Sequence, residues 1–238
     1  MKHLWEMTLD ELLNPQGHAC SCGRVHRCGL KMLRVGKGAV DALPEALAAT
    51  QVQRPFVVAD AHTYQAAGQK VEEVLQAAGI PYTLYRLPGD KRIEPDEWAM
   101  GSLTMGFDPR CDGVLAVGSG VINDCCKVLG NLLDNAIDAL KEVSDRRLTL
   151  TLTEDLKAFR FSVKNSGPMI PVKLQASIFQ PGITTKAAGH GMGLFIVRRT
   201  VQEWGGDIRL ISDAKETEFS GFIPREVKPQ DKTKKEKR

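Results

Sequence analysis

The sequence contains no apolar run long enough to cross a bilayer as a helix, which takes about 20 residues. Its N-terminus also lacks the basic and then apolar pattern of a secretory signal peptide. The first absence excludes a transmembrane helix from this sequence, and together they predict a cytoplasmic protein. The 238 residues suffice for one large domain or two small ones, and the apolar (42%) and charged (26%) fractions are those of a soluble globular protein.

Most of the chain also lacks an excess of either charge. The formal net charge is +3, but residues 228–238 hold six Lys/Arg and two Asp/Glu, so this end carries +4 and the remainder −1. Such a run predicts a solvated, disordered basic tail over residues 227–238 rather than a nucleic-acid-binding face. We therefore expect no nucleic acid among the partners.

Cysteines are few, and their spacing is unusual. The chain has six of them and no export signal, which favours thiols over disulfides. The segment around His18, Cys20, Cys22, His26 and Cys28 could hold zinc, but the usual C-x2-C spacing is missing. We favour reduced, partly exposed thiols, and the metal site remains the alternative.

The first half of the chain alternates strands and helices. Short apolar runs predict strands at residues 32–35, 55–59, 82–87 and 113–117. Helical patterns separate them at residues 39–49, 64–78 and 95–105. This alternation predicts a parallel, Rossmann-like α/β sheet.

Two features follow strands of this sheet directly. Asp60 ends one strand, and Gly118, Ser119 and Gly120 form a turn after another. Ligands of open α/β sheets bind at these carboxyl ends, where a carboxylate suits ribose hydroxyls and a glycine turn suits a pyrophosphate. Because Asn123 replaces the third glycine of the G-x-G-x-x-G pattern, a tight packing turn remains the alternative.

A long helix is predicted at residues 120–140, although Gly130 costs it about 1 kcal/mol relative to alanine. Asn131 and Asn135 lie four residues apart and therefore share one face. A continuous apolar stripe is formed by Ile122, Cys126, Leu129, Leu133, Ile137 and Leu140.

The second half has a different pattern. Alternating apolar and polar residues predict strands at 147–153, 159–164, 207–212 and 218–223, with a helix at 194–203. This order predicts an α+β domain with helices on one face of a mixed sheet.

Three stretches of the first half resemble a known family: VGKGAVDALPEAL, VVADAHTYQAAGQKVEEVLQAAGI and DGVLAVGSGVINDCCK. They are similar to the N-terminal half of sn-glycerol-1-phosphate dehydrogenases, in the iron-containing alcohol dehydrogenase superfamily, over about residues 20–130. The resemblance implies an NAD(P) site that uses Asp60, Gly118, Ser119 and Gly120. In that family an Asp and two His of the C-terminal half hold the catalytic metal, and no counterpart follows Gly130.

Four motifs of the second half, in the family's order, are NLLDNAIDAL, VKNSGPMIP, IFQPGITTK and GHGMGLFIVRRTVQEWGG. They are similar to the N box, first glycine box, F-box loop and second glycine box of GHKL ATPases, and most of all to a bacterial sensor histidine kinase, over about residues 125–226. The resemblance implies a GHKL (Bergerat) sandwich that binds Mg2+ and ATP.

Site residues follow from these motifs. Asn135 is the expected Mg2+ ligand, with Asn131 one turn before it, because Mg2+ takes oxygen ligands. The adenine is expected at Asn165 and Gly167, and Thr217 stands in the closing strand. The lid and phosphate-binding residues are expected to be Thr185, Lys186, Gly189, Gly191 and Gly193.

Two positions and one segment depart from that family. Asn165 stands where an Asp is usual, Met169 replaces the second glycine of its box, and the dehydrogenase-like strand and turn replace the usual strand and first helix half before the N box. Position 131 bears on the reaction type, because ATP-hydrolysing relatives carry there a Glu that activates water and this chain carries Asn131. Since an amide cannot accept a proton, we expect phosphoryl transfer to another acceptor, or binding alone, rather than hydrolysis. None of the five histidines has the His-Glu/Asp helical context of a phosphoacceptor, so a partner with a dimerising phosphoacceptor-His domain is expected.

The sequence therefore predicts three segments: a Rossmann-like dinucleotide-binding half at 1–130, a GHKL domain at 131–226 and a tail at 227–238. The α/β half would be fused through a shared helix to the α+β sandwich. Three hypotheses remain: a Mg–ATP-binding kinase-type module, an NAD(P)-dependent dehydrogenase relative or remnant, and a fusion that binds neither ligand well.

Overall fold

The computed structural model describes residues 6–8, 11, 13–14, 16–19, 23, 25–26, 30–89, 93–94, 96–118, 120–155, 157–184 and 191–225. The chain forms two compact units. The first comprises Met1–Asp90 and Phe107–Gly118, and the second comprises Lys91–Gly106 and Ser119–Arg238. No helix in the described ranges combines the length and the apolar character needed to cross a membrane.

The first unit contains a three-stranded sheet formed by β3 (Pro55–Ala59), β4 (Thr83–Arg86) and β5 (Gly113–Ala116). Their order is β4-β3-β5, and both pairings are parallel. Every residue of β3 is buried, as expected for the central strand of a parallel sheet. The predicted parallel α/β half is therefore confirmed.

Helical segments precede β3 and connect it to β4 along the chain. They are a 3-10 turn Ala39–Ala42, α1 (Leu43–Thr50), α2 (Ala61–Thr63), a π-helical segment Tyr64–Gly68 and α3 (Gln69–Ala77). Pro44 lies in the first turn of α1, where a missing N–H breaks no helical hydrogen bond. The core of the unit contains Leu47, Val57, Ala59, Val71, Leu75 and Val117.

The region before α1 differs from the sequence prediction. Residues 32–35 form no strand, and Val35 is 81% exposed, so the predicted strand is wrong and this run is not buried against the sheet. Two short strands, β1 (His18–Ala19) and β2 (Val25–His26), pair in antiparallel fashion. The predicted Cys/His cluster lies partly outside the described residues, and the described ones contain no group of three or more His, Cys, Asp or Glu that could hold a metal.

Two aspartates connect the N-terminal ends of the parallel strands β3, β4 and β5. The Asp112 carboxylate accepts backbone N–H groups of Gln53 (2.9 Å) and Arg54 (2.8 Å). Asp108 is 9% exposed and accepts from Thr83 Oγ1 (2.6 Å) and from Arg110 Nε (3.0 Å) and Nη2 (2.9 Å). The Arg110 guanidinium and the Thr83 hydroxyl hold the pKa of Asp108 well below its usual range.

The second unit contains a four-stranded sheet made of β6 (Leu148–Glu154), β7 (Ala158–Asn165), β8 (Asp207–Ser212) and β9 (Thr217–Pro224). The order is β6-β7-β9-β8. All three pairings are antiparallel, so the predicted mixed sheet is wrong. The turns after β6 and after β8 reverse the chain, and β9 lies between β7 and β8, so β8 runs in the same direction as β7 without pairing with it. Sequence periodicity records neither strand order nor strand direction.

Helices cover one face of this sheet: α4 (Glu97–Met105), α5 (Gly120–Leu140), the short α6 (Val172–Gln175) and α7 (Gly193–Glu203). Helix α5 contacts α4, α7 and β7. The side chains of β7 and β9 that point to the helices are buried, among them Phe159, Phe161, Val163, Phe219 and Ile223. This one-sided burial is that of an α+β domain, as predicted.

Helix α4 belongs to the second unit although its sequence lies in the dehydrogenase-like part of the chain. Asp96 caps it by accepting the N–H of Ala99 at 2.9 Å. A Cβ at Gly101 would lie 3.3 Å from Phe159 Cε2, so the helix packs closely on β7. Helix α4 therefore covers part of the second sheet.

Helix α5 is continuous over 21 residues and passes through Gly130, as predicted. Its buried residues are Ile122, Cys125, Cys126, Val128, Leu129, Leu132, Leu133, Ala136 and Leu140. Ile137 is 41% exposed, so its place in the predicted stripe is wrong. Steps of three and four residues do not return to one angle on a helix of 3.6 residues per turn, and Ile137 falls at the margin of the buried face.

The packing of the sheet on its helices can be tested with two phenylalanines. Phe159 is 4% exposed on the inner face, whereas Phe222 is 37% exposed on the outer face. We expect Phe159→Ala to lower the free energy of unfolding by about 3–5 kcal/mol, because it leaves a cavity under α4. The control Phe222→Ala should cost much less in the same urea titration, and equal losses would contradict the assignment of the inner face.

The Asp108 cluster predicts a pH dependence of stability. Since the folded state lowers the pKa of Asp108, the carboxylate stabilises the protein above the unfolded value of about 3.9, and this stability is lost as pH falls. We expect Asp108→Asn to destabilise the chain at pH 7 and the difference from the parent to shrink below about pH 4. Urea unfolding of the parent and the variant at pH 7 and below about pH 4 measures this difference in stability. Glu45→Gln, at an exposed ion pair, is the control and should change the stability little at either pH. A difference that is the same at both pH values would contradict this account.

Candidate functional site

One face of α5 carries the two asparagines identified in the sequence. Asn131 Nδ2 donates to the backbone oxygen of Lys127 at 2.8 Å, which orients its Oδ1 away from that turn. A Cβ at Gly193 would lie 2.6 Å from Asn131 Oδ1. The first residue of α7 therefore rests against the amide oxygen of Asn131, and only glycine fits there without a shift.

A second close approach lies at the other end of the same face. Asn131, Asn135 and Ala139 are four residues apart and span about 12 Å along the helix. A Cβ at Gly167 would lie 2.6 Å from the Cβ of Ala139. The loop after β7 thus contacts α5 one turn beyond Asn135.

Asn135 lies between these two contacts. It is half-buried, and its side chain makes no hydrogen bond with other residues in the part of the chain that the structure describes. A half-buried amide without a protein partner is open to a ligand, and its oxygen is the type that Mg2+ prefers.

Asn165, at the end of β7, is only 2% exposed. Its Oδ1 accepts the N–H of Gly167 at 2.9 Å, which leaves one of the two lone pairs of that oxygen. It pairs across the sheet with Thr217, which is 3% exposed and hydrogen-bonded to Ser212 Oγ at 2.6 Å. The structure therefore brings Asn165, Gly167 and Thr217 together, and their roles toward adenine stay predictions.

In the loop just before α7, the backbone of Gly191 packs against the backbone of residues 182–183. Gly191 has a φ of 63°, a left-handed conformation that favours glycine, and its oxygen accepts the N–H of Gly182 at 3.0 Å. A Cβ at Gly191 would also lie 2.6 Å from the backbone nitrogen of Ile183. The loop delivers the N-terminus of α7, whose first N–H groups have no helical partner and favour phosphate.

These features fit a bound nucleotide. The donor set consists of neutral amide oxygens and of glycines at positions where a Cβ would collide with its surroundings. Three predicted members of the site, Thr185, Lys186 and Gly189, lie outside the described residues, so their roles stay predictions.

The first unit places its own polar group at the carboxyl end of β3. Asp60 is 8% exposed, and its Oδ1 accepts the N–H of Thr63 at 2.7 Å while its N–H donates to Thr63 Oγ1 at 2.9 Å. This is a capping box that starts α2. This capping role was not predicted from the sequence, although the D-x-x-T pattern after a strand indicates it.

The glycine turn begins next to Asp60 in the sheet. Gly118 follows β5, and Val117 N–H donates to Val58 O at 2.7 Å, which keeps that end beside β3. Gly120 starts α5 in the second unit, and a Cβ there would meet no heavy atom within 4 Å. Packing therefore does not require glycine at this position, in contrast to Gly193. Ser119 lies outside the described residues.

Cysteines of α5 are free and buried, as is Cys111. Burial raises the pKa of the Cys126 thiol to about 12, and burial also raises the pKa of Cys125. Both side chains are therefore neutral packing groups near pH 7. The predicted thiol state holds for these three, while Cys20, Cys22 and Cys28 lie outside the described residues.

Two family models match this chain, and the two matched regions meet within helix α5. Residues 120–227 match the family model of histidine kinase-, DNA gyrase B-, and HSP90-like ATPases. Residues 34–139 match that of iron-containing alcohol dehydrogenases. The two matches overlap at residues 120–139, which lie within α5.

Individual relatives show the same division. Sensor protein CitS of Halalkalibacterium halodurans is 41% identical over 86 residues, which cover 35% of this chain and 16% of that protein. Glycerol-1-phosphate dehydrogenase (NAD(P)+) of the same organism is 34% identical over 112 residues, which cover 46% of this chain and 28% of that protein. The chain thus spans less than a third of the length of either relative.

Among solved structures, the catalytic domain of histidine kinase ThkA is 36% identical, covers 43% of this chain and 67% of its own, and gives a TM-score of 0.39. The family matches and the two relatives agree with the motifs found in the sequence. The chain therefore joins a segment that resembles the nucleotide-binding half of glycerol-1-phosphate dehydrogenases to a segment that resembles the GHKL ATPase domain of bacterial sensor histidine kinases.

Proposed function

We propose that the second unit binds Mg–ATP and acts as a histidine-kinase-type phosphotransfer module for a separate partner. The observation that carries the proposal is the face of α5 on which Asn135 lies between two glycine contacts, Gly193 on Asn131 and Gly167 on Ala139. Asn135 is the amide of this face whose side chain makes no hydrogen bond with any described residue, which supports its role as the Mg2+ ligand.

Each side chain has a distinct task in this proposal. Asn135 Oδ1 ligates Mg2+, which neutralises phosphate charge, and Asn131 Oδ1 lies one turn away as a second oxygen. The remaining lone pair of Asn165 Oδ1 accepts from the adenine amino group beside Thr217. Gly191 and Gly193 present backbone N–H groups to the phosphates. The sequence adds the lid residues Thr185, Lys186 and Gly189, with Lys186 reaching the terminal phosphate.

The same residues argue against hydrolysis. An amide at position 131 cannot take a proton from water, and its nitrogen donates to Lys127 O. The γ-phosphate would therefore pass to an acceptor rather than to water. The histidine of that acceptor belongs to a partner with a dimerising phosphoacceptor domain, since none of the five histidines of this chain has such a context.

A second candidate function concerns the first unit. We propose that it binds NAD(P), because Asp60 and Gly118 lie at the carboxyl ends of neighbouring parallel strands and the next glycine, Gly120, is not required for packing. The sequence adds Ser119 to this turn. Since the metal-bearing half of the dehydrogenase family has no counterpart here, we propose binding without oxidation of glycerol 1-phosphate.

The Mg2+ site can be tested with Asn135→Ala. Alanine is the better helix former, and the Asn135 side chain makes no hydrogen bond with the described residues that the substitution would remove, so the melting temperature without ligand should stay close to the parent's. Affinity for a fluorescent ATP analogue in the presence of Mg2+ should fall at least about tenfold, because a charge-assisted contact is lost.

The matched control is Asn123→Ala, the same substitution in the same helix twelve residues earlier. It should leave the affinity for the ATP analogue unchanged. The parent alone should show negligible acid-labile labelling with γ-labelled ATP. Unchanged affinity in Asn135→Ala would refute the site, and strong labelling of the parent alone would refute its dependence on a partner.

The dinucleotide proposal is tested with Asp60→Asn. Asn caps a helix about as well as Asp, so the fold of α2 should persist. Loss of the carboxylate should weaken NADH binding several-fold while Mg–ATP binding stays unchanged, because a hydrogen bond from a ribose hydroxyl to a charged group is stronger than one to an amide.

The control for this variant is Thr63→Ala, which breaks the capping box but keeps the Asp60 carboxylate. It should retain NADH binding. Equal weakening by both variants would show that Asp60 is only a cap. Formation of NADH from glycerol 1-phosphate and NAD+ with added Zn2+ or Fe2+ would contradict the absence of oxidation.

A further inference from the structure

Arg86 is the last residue of β4 and is exposed at the carboxyl edge of the parallel sheet. Its guanidinium carbon lies 4.8 Å from the centre of the Tyr64 ring. The other described arginines of the first unit form ion pairs, Arg34 with Glu45 and both Arg54 and Arg110 with Asp108. Within the described residues Arg86 has no such carboxylate, so its charge is open to a ligand.

The aromatic support under Arg86 is held in place by its neighbours. Tyr64 Oη donates to Glu72 Oε2 at 2.5 Å, and Tyr82 Oη donates to Glu72 Oε1 at 2.7 Å. A Cβ at Gly68 would lie 2.5 Å from Tyr64 Cδ2, so this glycine makes room for the ring in the π-helical segment. Both oxygens of Glu72 are thus engaged by hydroxyls, and the Tyr64 ring is a fixed platform for the guanidinium.

The carboxyl ends of the three neighbouring strands β4, β3 and β5 carry different functional groups. Arg86 pairs in register with Ala59, the residue before Asp60, and Leu87 N–H donates to Ala59 O at 2.8 Å. On the other side of β3, β5 ends beside it and leads to Gly118. Across an edge with about 4.8 Å between strands, the order is therefore guanidinium, carboxylate and glycine turn.

A dinucleotide bound as proposed for this unit has its pyrophosphate at the glycine turn and its adenosine ribose at Asp60. The next strand end away from the pyrophosphate is that of β4. A group attached to the ribose 2′ oxygen would then lie toward Arg86. The planar fork of a guanidinium matches the oxygens of a phosphate in a bidentate manner.

We propose that Arg86 binds the 2′-phosphate of an NADP-type dinucleotide. The proposal rests on dinucleotide binding by the first unit. Asp60 alone would repel a 2′-phosphate, but its Oδ1 already accepts an N–H at the start of α2. Arg86 adds the positive charge that makes the edge compatible with NADP(H) as well as NAD(H).

The experiment is fluorescence titration of the full chain with NADPH and NADH, for the parent and for Arg86→Gln. Loss of the bidentate contact should weaken NADPH binding about tenfold or more and change NADH binding by about twofold or less. Arg86→Lys keeps the charge without the fork and should recover part of the NADPH affinity. The control Arg34→Gln, at an exposed ion-paired arginine of the same unit, should alter neither.

Competition with 2′-phospho-ADP-ribose, ADP-ribose and inorganic phosphate separates the possible ligands. Displacement of NADPH by 2′-phospho-ADP-ribose that depends on Arg86 supports the proposal, and equal displacement by inorganic phosphate would overturn it. If the parent binds NADH and Arg86→Gln leaves the NADPH to NADH affinity ratio unchanged, Arg86 does not bind the 2′-phosphate. If the parent binds neither dinucleotide, dinucleotide binding itself fails and the proposal with it.

Discussion

The close packing of α5 against its neighbours is the constraint on which the second unit depends. One side of this helix buries nine residues, and its asparagine face is limited at both ends by glycines that leave no space for a Cβ. Any side chain at Gly193 or Gly167 would push α7 or the loop after β7 away from Asn131 and Ala139. The geometry of the proposed nucleotide site on this face therefore depends on these backbone contacts, which determine what lies next to the asparagine side chains.

The amide at position 165 has a consequence for stability as well as for binding. A side chain that is 2% exposed can be neutral and satisfied by Gly167 N–H, whereas a carboxylate there would be a buried charge without a cation among the described partners. The amide thus keeps the acceptor that the proposed adenine site uses, at low cost to the ligand-free fold. At Asp60 the opposite holds, because the buried carboxylate accepts the N–H of Thr63 while the backbone N–H of Asp60 donates to Thr63 Oγ1, so this residue has a structural role before any ligand arrives.

Much of the fold could be read from periodicity and from turn chemistry. The strands 55–59 and 207–212 have the predicted bounds, and the helix through Gly130 is continuous because its apolar spacing outweighs one glycine. The errors have a common physical origin. The run 32–35 is apolar but pairs with no strand among the described residues, and Ile137 lies at the margin of a buried face. The second sheet is antiparallel because β9 lies between β7 and β8, an order that residue pattern does not record.

By itself the sequence determined which chemistry is present: two asparagines on one helical face, glycines before a helix start, and a carboxylate and a glycine turn after parallel strands. These depend on residue type and on spacing within single elements, which local rules describe. Only the tertiary structure decided that Gly193 meets Asn131, that α4 covers the second sheet, and that Arg86 ends the strand next to that of Asp60 without a carboxylate partner among the described residues. Such contacts join residues far apart in the chain, and they arise from burial and strand pairing that no local pattern contains.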